Sequence, residues 1–149
     1  MKAQVNEIAI KYSGSTKTNV LPKITCSRNA AYLAYSQWNK DTIELQETFK
    51  IMLLNNANKV KGVCEVSKGG ITGTLVDVRI LFAILLKSLT TAVILVHNHP
   101  SGILIPSEAD KNLTQKIKKA GELFDIKVLD HLILTPDGDY YSFADNGIL

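Results

Sequence analysis

Two histidines separated by one residue are the first candidates for chemistry in this sequence. His97 and His99 stand at the end of the apolar run AVILV. Because successive side chains of a strand point to opposite faces, both imidazoles would lie on one face and could bind one ion. Catalytic zinc sites commonly use three protein ligands and leave a fourth position for water. The pair therefore needs a third ligand, and Asp110, eleven residues after His99, is the nearest candidate.

A purely structural explanation of the same residues is open as well. A strand can end in two histidines for packing reasons, and Ser107 to Asp110 form the pattern S-x-x-D. That pattern predicts Ser107 as the N-cap of a helix and Asp110 as a first-turn residue that interacts favourably with the helix dipole. The two explanations are compatible, because a capped helix start is a rigid place from which to present a carboxylate.

A hydrolytic metal site also needs a base that is not itself a ligand. The upstream candidates are Glu44, Glu47 and Glu65. Glu47 opens the run ETFKIMLL, which we expect to form a strand that holds its carboxylate against the sheet. The alternative is that Glu47 is an ordinary exposed residue at a strand start.

The elements that must position these residues follow from the hydrophobic pattern, which predicts strands alternating with helices around a central hairpin. A hairpin inside such a series favours a mixed sheet over a purely parallel one. The predicted fold class is therefore α/β, with helices packed on a single mixed β-sheet. In chain order we expect a strand at NEIAIKY, a loop from Ser13 to Lys23, a helix at SRNAAYLAYSQWN that Ser27 can cap, and a hairpin at QETFKIMLLNNANKVKGVCEVS. A break at KGGITGT then precedes a buried helix at DVRILFAILLKSL and a central strand at TAVILVHNH. The last elements are a helix from Ser107 with Leu113, Ile117, Ala120 and Leu123 or Phe124 inward, a strand at IKVLDHLILT and a short strand in DGDYYSF.

Bulk composition limits the possible classes of protein. The chain has 149 residues, of which 46% are hydrophobic and 21% charged, as is typical of one globular domain. The +3 charge is spread out, and the cluster Lys116, Lys118 and Lys119 is typical of a solvated helix face. Cys26 and Cys64 form no C-x-x-C pair, and no secretory signal or transmembrane segment is expected. We therefore predict a cytoplasmic protein with two reduced thiols.

The candidate site residues, taken together, resemble the E…H-x-H-x(7)-S-x-x-D signature of the JAMM (MPN+) metalloproteases: Glu47, His97, His99, Ser107 and Asp110. From about residue 40 to the end, the segments GGITGTLVDVR, ILVHNHPSG, PSEAD, VLDHLIL and YYSFADNGIL resemble the RadC-like JAB domain, a bacterial branch of that superfamily. We therefore expect one such domain over residues 1–149, with residues 1–40 as an N-terminal strand-loop-helix extension. The chain is similar to short, stand-alone members without a helix-hairpin-helix segment.

The resemblance implies a JAB/MPN architecture, which is cytidine-deaminase-like, and a zinc-dependent metallopeptidase or isopeptidase. It implies that His97, His99 and Asp110 ligate zinc. It also implies that Glu47 is general base and acid, and that Ser107 stabilises the oxyanion. The implied partner is a polypeptide substrate, and no membrane is implied.

Three other functions are alternatives to this one. A zinc nucleobase deaminase uses H-x-E followed by P-C-x-x-C, and this chain has His99 in the third position and no C-x-x-C. A DNA-repair or mobile-element accessory protein that acts by binding is suggested by the family name and the mild positive charge. A scaffold that has lost catalysis is disfavoured, because every expected ligand type is present.

The residues next to the candidate ligands have structural interpretations. His131, whose ring the neighbouring Asp130 could orient, is predicted to be a buried structural histidine, the alternative being support of the metal ligands or a substrate contact. Asn98 should face away from the two histidines, and Ser101 with Gly102 suits a turn.

Overall fold

One mixed β-sheet organises the described part of the chain. In the computed structural model, which describes residue 1, residues 3–70 and residues 74–149, this sheet has five strands in the order β2-β1-β3-β4-β5. The elements are a 3-10 helix (Thr18–Val20), α1 (Ser27–Ser36), β1 (Thr48–Leu54), β2 (Val60–Lys68), α2 (Val78–Lys87), β3 (Ala92–Asn98), α3 (Glu108–Glu122), β4 (Lys127–Leu134) and β5 (Tyr140–Ser142).

Strand pairing makes the sheet mixed, as predicted. The strand β1 pairs antiparallel with both β2 and β3, the pair β3–β4 is parallel, and β4 pairs antiparallel with β5. A two-strand hairpin connects β1 to β2, whereas the parallel pair needs the crossover that α3 provides. The predicted α/β class, with helices packed on one mixed sheet, is confirmed.

The two faces of the sheet bury different helices. Met52, Ile94 and Leu132 form one buried cluster with Ala31 and Ala34 of α1. The alternate positions on the other face form a second cluster with α2 and α3: Phe49, Ile51, Leu53, Val93, Leu95, Leu81, Leu85 and Ile117. Because side chains alternate along a strand, the strands β1, β3 and β4 each contribute residues to both clusters. The strand β3 is buried at all seven positions, as expected for a central strand.

The predicted strand at residues 6–12 is wrong. In the described part of the chain these residues form no strand, and Ile8 and Ile10 are 84% and 60% exposed. Alternating apolar residues form a strand only where a neighbouring strand supplies hydrogen-bond partners, and residues 6–12 pair with none of the described strands. The predicted loop at residues 13–23 contains the short 3-10 helix Thr18–Val20.

Two predictions about helix ends are also wrong. Ser27 does not cap α1: Cys26 holds the N-cap position without a side-chain hydrogen bond, and the Ser27 hydroxyl donates to Asp145 instead. At the other end of the chain, α3 stops at Glu122, and Leu123 and Phe124 are 83% and 50% exposed. After the helix the chain folds back so closely that a Cβ at position 121 would lie 2.5 Å from the carbonyl oxygen of Ile126. This close approach therefore needs Gly121.

Among the described residues, no helix combines the length and the apolar composition needed to cross a membrane. In the basic cluster of α3, Lys116 and Lys119 are exposed, whereas Lys118 is half-buried and donates to the carbonyl oxygen of Leu149 at 3.2 Å. The predicted break at KGGITGT includes residues 71–73, which lie outside the described residues.

A buried carboxylate joins β4 to β5. Asp130 is 5% exposed and accepts hydrogen bonds from Ser142 Oγ at 2.6 Å, from His131 N at 2.8 Å and from Ala144 N at 3.0 Å. Burial raises the pKa of Asp130, and the three donors partly offset that effect. The carboxylate therefore holds the backbone of His131 in place.

Replacing this carboxylate is expected to destabilise the fold. Asp130→Ala leaves the buried N–H of His131 and the buried hydroxyl of Ser142 without this acceptor, so we expect the free energy of unfolding to fall by about 2–4 kcal/mol. Asp137→Ala, at an exposed turn position, is the control and should change it by less than about 0.5 kcal/mol. Urea unfolding followed by the fluorescence of Trp38 measures both, and equal losses in the two variants would contradict the assignment.

Candidate metal centre

The two predicted histidine ligands meet at the carboxyl end of β3. His97 Nε2 and His99 Nε2 lie 3.0 Å apart, on the face of the sheet that α2 and α3 cover. The His97 side chain is 1% exposed and its ring stacks on Phe49 of β1, whereas the His99 side chain is 16% exposed. The alternation of side chains along β3 thus places both imidazoles as the sequence predicts.

Asp110 reaches the histidines from the first turn of α3. Its Oδ1 lies 3.4 Å from His97 Nε2, and its Oδ2 lies 3.5 Å from His99 Nε2. The helix start is a capping box: Ser107 Oγ accepts from Asp110 N at 3.0 Å, and Asp110 Oδ2 accepts from Ser107 N at 2.9 Å. The predicted N-cap at Ser107 is confirmed, and the cap fixes the carboxylate that faces the histidines.

The donor atoms of this group suit a cation. His99 Nδ1 lies 2.7 Å from Ile103 O, and because a carbonyl only accepts, Nδ1 of the neutral ring carries the proton and Nε2 is a lone pair. That lone pair faces carboxylate oxygens of Asp110 and the Nε2 atom of His97, with the ligand atoms all within 4.8 Å of one another. Ligand atoms around a tetrahedral zinc ion stand about 3.4 Å apart. The separations of 3.0 to 3.5 Å therefore fit such an ion.

Electrostatics keep the carboxylate ionised. Burial of Asp110 opposes ionisation, but hydrogen bonding with the rings of His97 and His99 when these carry a proton on Nε2, together with the Ser107 N–H, outweighs it and holds the pKa of Asp110 well below its usual range. For His99, burial disfavours the charged form, while hydrogen bonds to Asp110 and Ile103 outweigh that and raise its pKa. A neutral-pH site with an ionised Asp110 is ready to bind a positive charge.

Glu47 lines the same cleft as the candidate ligands. It directly precedes β1 and is half-buried beside His99, Ser107 and Asp110. Burial raises the pKa of Glu47, opposed by the nearby His97 and His99. A raised pKa suits a group that must take up and release a proton near neutral pH. The other two candidates, Glu44 and Glu65, are exposed and do not line this cleft.

The cleft is open to solvent and has a volume of about 530 Å³. Its outer wall is the loop after β3, where Ile103 and Ile105 are 55% and 72% exposed. These two side chains add an apolar surface beside the polar candidate ligands, and ligand clefts commonly combine the two.

Asn98 holds the backbone on both sides of Glu47, the candidate base, a role that the sequence prediction missed. It faces away from the histidines, as predicted, and it is fully buried. Its Oδ1 accepts from Thr48 N at 2.7 Å, and its Nδ2 donates to the carbonyl oxygens of Ile43 and Gln46, both at 2.9 Å. These bonds fix the backbone at Gln46 and Thr48, on both sides of Glu47. Asn98 therefore holds the segment that carries the candidate base. The contacts span about fifty residues, so only the polarity of Asn98 within a buried strand could have signalled them.

His131 is buried, as predicted, and it touches the candidate metal centre. Its Nε2 lies 2.8 Å from His97 Nδ1, and its Nδ1 lies 2.6 Å from Thr114 Oγ1. The neighbouring Asp130 binds the backbone of His131, not its ring, so the prediction that Asp130 could orient the imidazole is wrong. The ring is hydrogen-bonded instead to Thr114, a residue that the sequence analysis did not single out.

Comparison with known proteins gives consistent matches. Residues 24–148 match the profile of the family described as the RadC-like JAB domain. The chain is 57% identical over 102 residues to a UPF0758 protein of Flavobacterium johnsoniae, which covers 68% of this chain and 44% of that protein. A UPF0758 protein of Porphyromonas gingivalis is 44% identical over 104 residues, covering 70% of this chain and 46% of that protein. The chain thus spans less than half the length of these curated relatives.

The role of Asn98 predicts a pH-dependent loss of stability in Asn98→Asp. The variant keeps an acceptor for Thr48 N but turns a second oxygen toward two carbonyl groups, so we expect a loss of about 3 kcal/mol or more at pH 7. Because no donor faces this second oxygen, the new buried carboxyl has a folded-state pKa above its unfolded value of about 3.9. The loss is therefore full above the folded-state pKa and shrinks as the pH falls toward the unfolded value.

Urea unfolding between pH 4 and pH 8 (a range of about four units around these pKa values) measures this effect. The matched control is Asn55→Asp, because Asn55 Oδ1 only accepts, from Ala57 N and Lys59 N, both at 3.0 Å. The control should stay within about 0.5 kcal/mol of the native protein. A pH-independent loss in Asn98→Asp would show that Asn98 does not make these bonds.

The cap at Ser107 predicts a graded effect on stability. In metal-free protein, Ser107→Ala should lower the free energy of unfolding by about 1 kcal/mol, whereas Ser107→Gly should cost only about a few tenths. Thermal unfolding measures both, with Ser15→Ala in the exposed N-terminal segment as the control. A Ser107→Ala variant as stable as the native protein would contradict the capping role.

Proposed function

Because this chain belongs to the RadC-like JAB domain family, whose JAB/MPN-like fold agrees with its mixed sheet, we propose that it is a zinc-dependent hydrolase of amide bonds. One observation carries the proposal: ligand atoms of His97, His99 and Asp110 lie within 4.8 Å of one another, and His99 and Asp110 line the same cleft as Glu47 and Ser107. Three ligands with a carboxylate beside them are the arrangement that a catalytic zinc site requires.

The three ligands would hold the ion through His97 Nε2, His99 Nε2 and an oxygen of Asp110. When bound, zinc lowers the pKa of water toward about 7 and polarises a carbonyl group. His99 and Asp110 are open to the cleft, while His97 is closed off on the sheet side by Phe49. A substrate would therefore approach from the cleft side of the ligands.

Glu47 would act as the proton carrier of the reaction. Its carboxylate would take a proton from the attacking water and then deliver that proton to the amine that leaves, so the amide and one water give a carboxylate and an amine. Partial burial supports this role, because it raises the pKa of Glu47 toward the working pH of such a base.

Ser107 would stabilise the oxyanion that forms when water attacks the carbonyl. Its Oγ already accepts from Asp110 N, which leaves the hydroxyl hydrogen free to donate toward the cleft. One oxygen can therefore cap α3 and donate to the transition state.

A polypeptide is the proposed substrate. The cleft combines the candidate metal centre with the exposed Ile103 and Ile105, which suits an extended chain with apolar side chains near the bond that is cut. Action on DNA stays an untested prediction from the sequence, because none of the contacts described above favours it over hydrolysis.

The metal content of designed variants tests the proposal. Native protein purified without chelator should carry about one zinc ion per chain, as the three-ligand site requires. His97→Ala and Asp110→Ala should lose it. Glu47→Gln should keep the ion and lose about 100-fold or more of its turnover, because Glu47 carries the proton and not the metal. Elemental mass spectrometry and chelator-sensitive cleavage of a fluorogenic peptide library give the two readouts.

Glu44→Gln is the matched control, since Glu44 lies three residues before Glu47 and is exposed. It should keep both zinc and activity. Native protein without metal, or a Glu47→Gln variant as active as the native protein, would overturn the proposal.

A further inference from the structure

A chain of hydrogen bonds leads from the backbone of α3 to the first candidate ligand. Thr114 Oγ1 lies 2.7 Å from Asp110 O, and a carbonyl oxygen has no proton to give. The hydroxyl hydrogen of Thr114 therefore donates to Asp110 O. Thr114 is fully buried, so no solvent competes for this hydrogen.

The ring of His131 takes its proton position from this hydroxyl. His131 Nδ1 lies 2.6 Å from Thr114 Oγ1, whose own hydrogen is already used, so Nδ1 must be the donor. The ring is fully buried, stacked on Phe143 with centroids 4.5 Å apart and edge-on to Phe49 at 5.6 Å. In these apolar surroundings the ring carries a single proton, which leaves its Nε2 as a lone pair.

The same logic then fixes His97. His97 Nδ1 lies 2.8 Å from the lone pair of His131 Nε2, so His97 donates from Nδ1. Its Nε2, which faces His99 and Asp110, is left without a proton and can bind a cation.

The reversed chain is the competing arrangement. If Thr114 donated to His131 Nδ1, then His131 would donate to His97 and His97 would carry its proton on Nε2. Asp110 O would lose its bond from Thr114, and a hydrogen would point at the place where the ion binds. The first arrangement keeps the bond from Thr114 to Asp110 O and turns the lone pairs of both Nε2 atoms and the Asp110 carboxylate toward one point, where a cation would bind.

We propose that Thr114 and His131 are positioning residues that hold His97 in the tautomer able to bind metal, before any metal arrives. The proposal rests on the metal site of the proposed function. It also implies that this series of hydrogen bonds joins two of the three candidate ligands, because the series runs from the backbone of Asp110 to the ring of His97.

Nitrogen NMR of the histidine rings in metal-free native protein tests the tautomer directly. The expected result, above the pH at which the rings are charged, is a proton on Nδ1 of both His97 and His131. A proton on His97 Nε2 would overturn the proposal. This measurement needs no variant and no substrate.

Zinc affinity, measured by competition with a chelating dye, tests the consequence. Thr114→Val removes the hydroxyl at nearly constant shape and should weaken zinc binding about 10–100-fold, whereas Thr114→Ser should restore binding close to the native value. Thr90→Val is the control, because it removes another buried hydroxyl, bonded to Ser88 Oγ at 2.7 Å, away from the metal centre. It should leave zinc affinity unchanged even if stability falls.

The outcomes separate this inference from the proposed function. Native-like zinc affinity in Thr114→Val would overturn the positioning role while leaving the hydrolase proposal intact. Native protein that binds no zinc would overturn the hydrolase proposal, and the ring tautomers would still decide the inference.

Discussion

The alternation of side chains at the end of β3 is the constraint on which the rest of the structure depends. His97 points to the face covered by α3, and Asn98 points to the opposite face, where it holds the chain around Glu47. Consecutive residues of one strand therefore set both the metal centre and the proposed base. This is possible because β3 is the central strand, with β1 on one side and β4 on the other.

The start of α3 meets the same strand from the other direction. Asp110 belongs at once to a capping box and to the candidate metal centre, so the helix cannot shift without moving a ligand. Thr114, one turn later, bonds the carbonyl of Asp110 and the ring of His131. Local helix chemistry and the chemistry of the site use the same atoms, which keeps the ligand geometry rigid.

Sequence reasoning succeeded where the cause of a structure is local. The hairpin, the buried β3 and the capped start at Ser107 follow from alternation, turn residues and capping, and all are present. It failed for residues 6–12, because a strand depends on a partner that the pattern does not reveal. The roles of Asn98 and Thr114 were missed for the same reason, since each depends on contacts with distant or separately folded segments. The association of Glu47 with the histidines was predicted through family resemblance, not through spacing.

In the arrangement proposed above, the proton positions of both imidazoles are set by hydrogen bonds that end at main-chain carbonyl oxygens, Ile103 O for His99 and Asp110 O for His97. Every residue type supplies such an oxygen, so a change of side chain at position 103 alters the wall of the cleft without removing the acceptor for His99. The loop after β3 can therefore diversify what the cleft accepts while the chemistry at its base stays constant. The proposed selectivity and the proposed reactivity therefore depend on different atoms, the first on side chains of the loop and the second on main-chain oxygens.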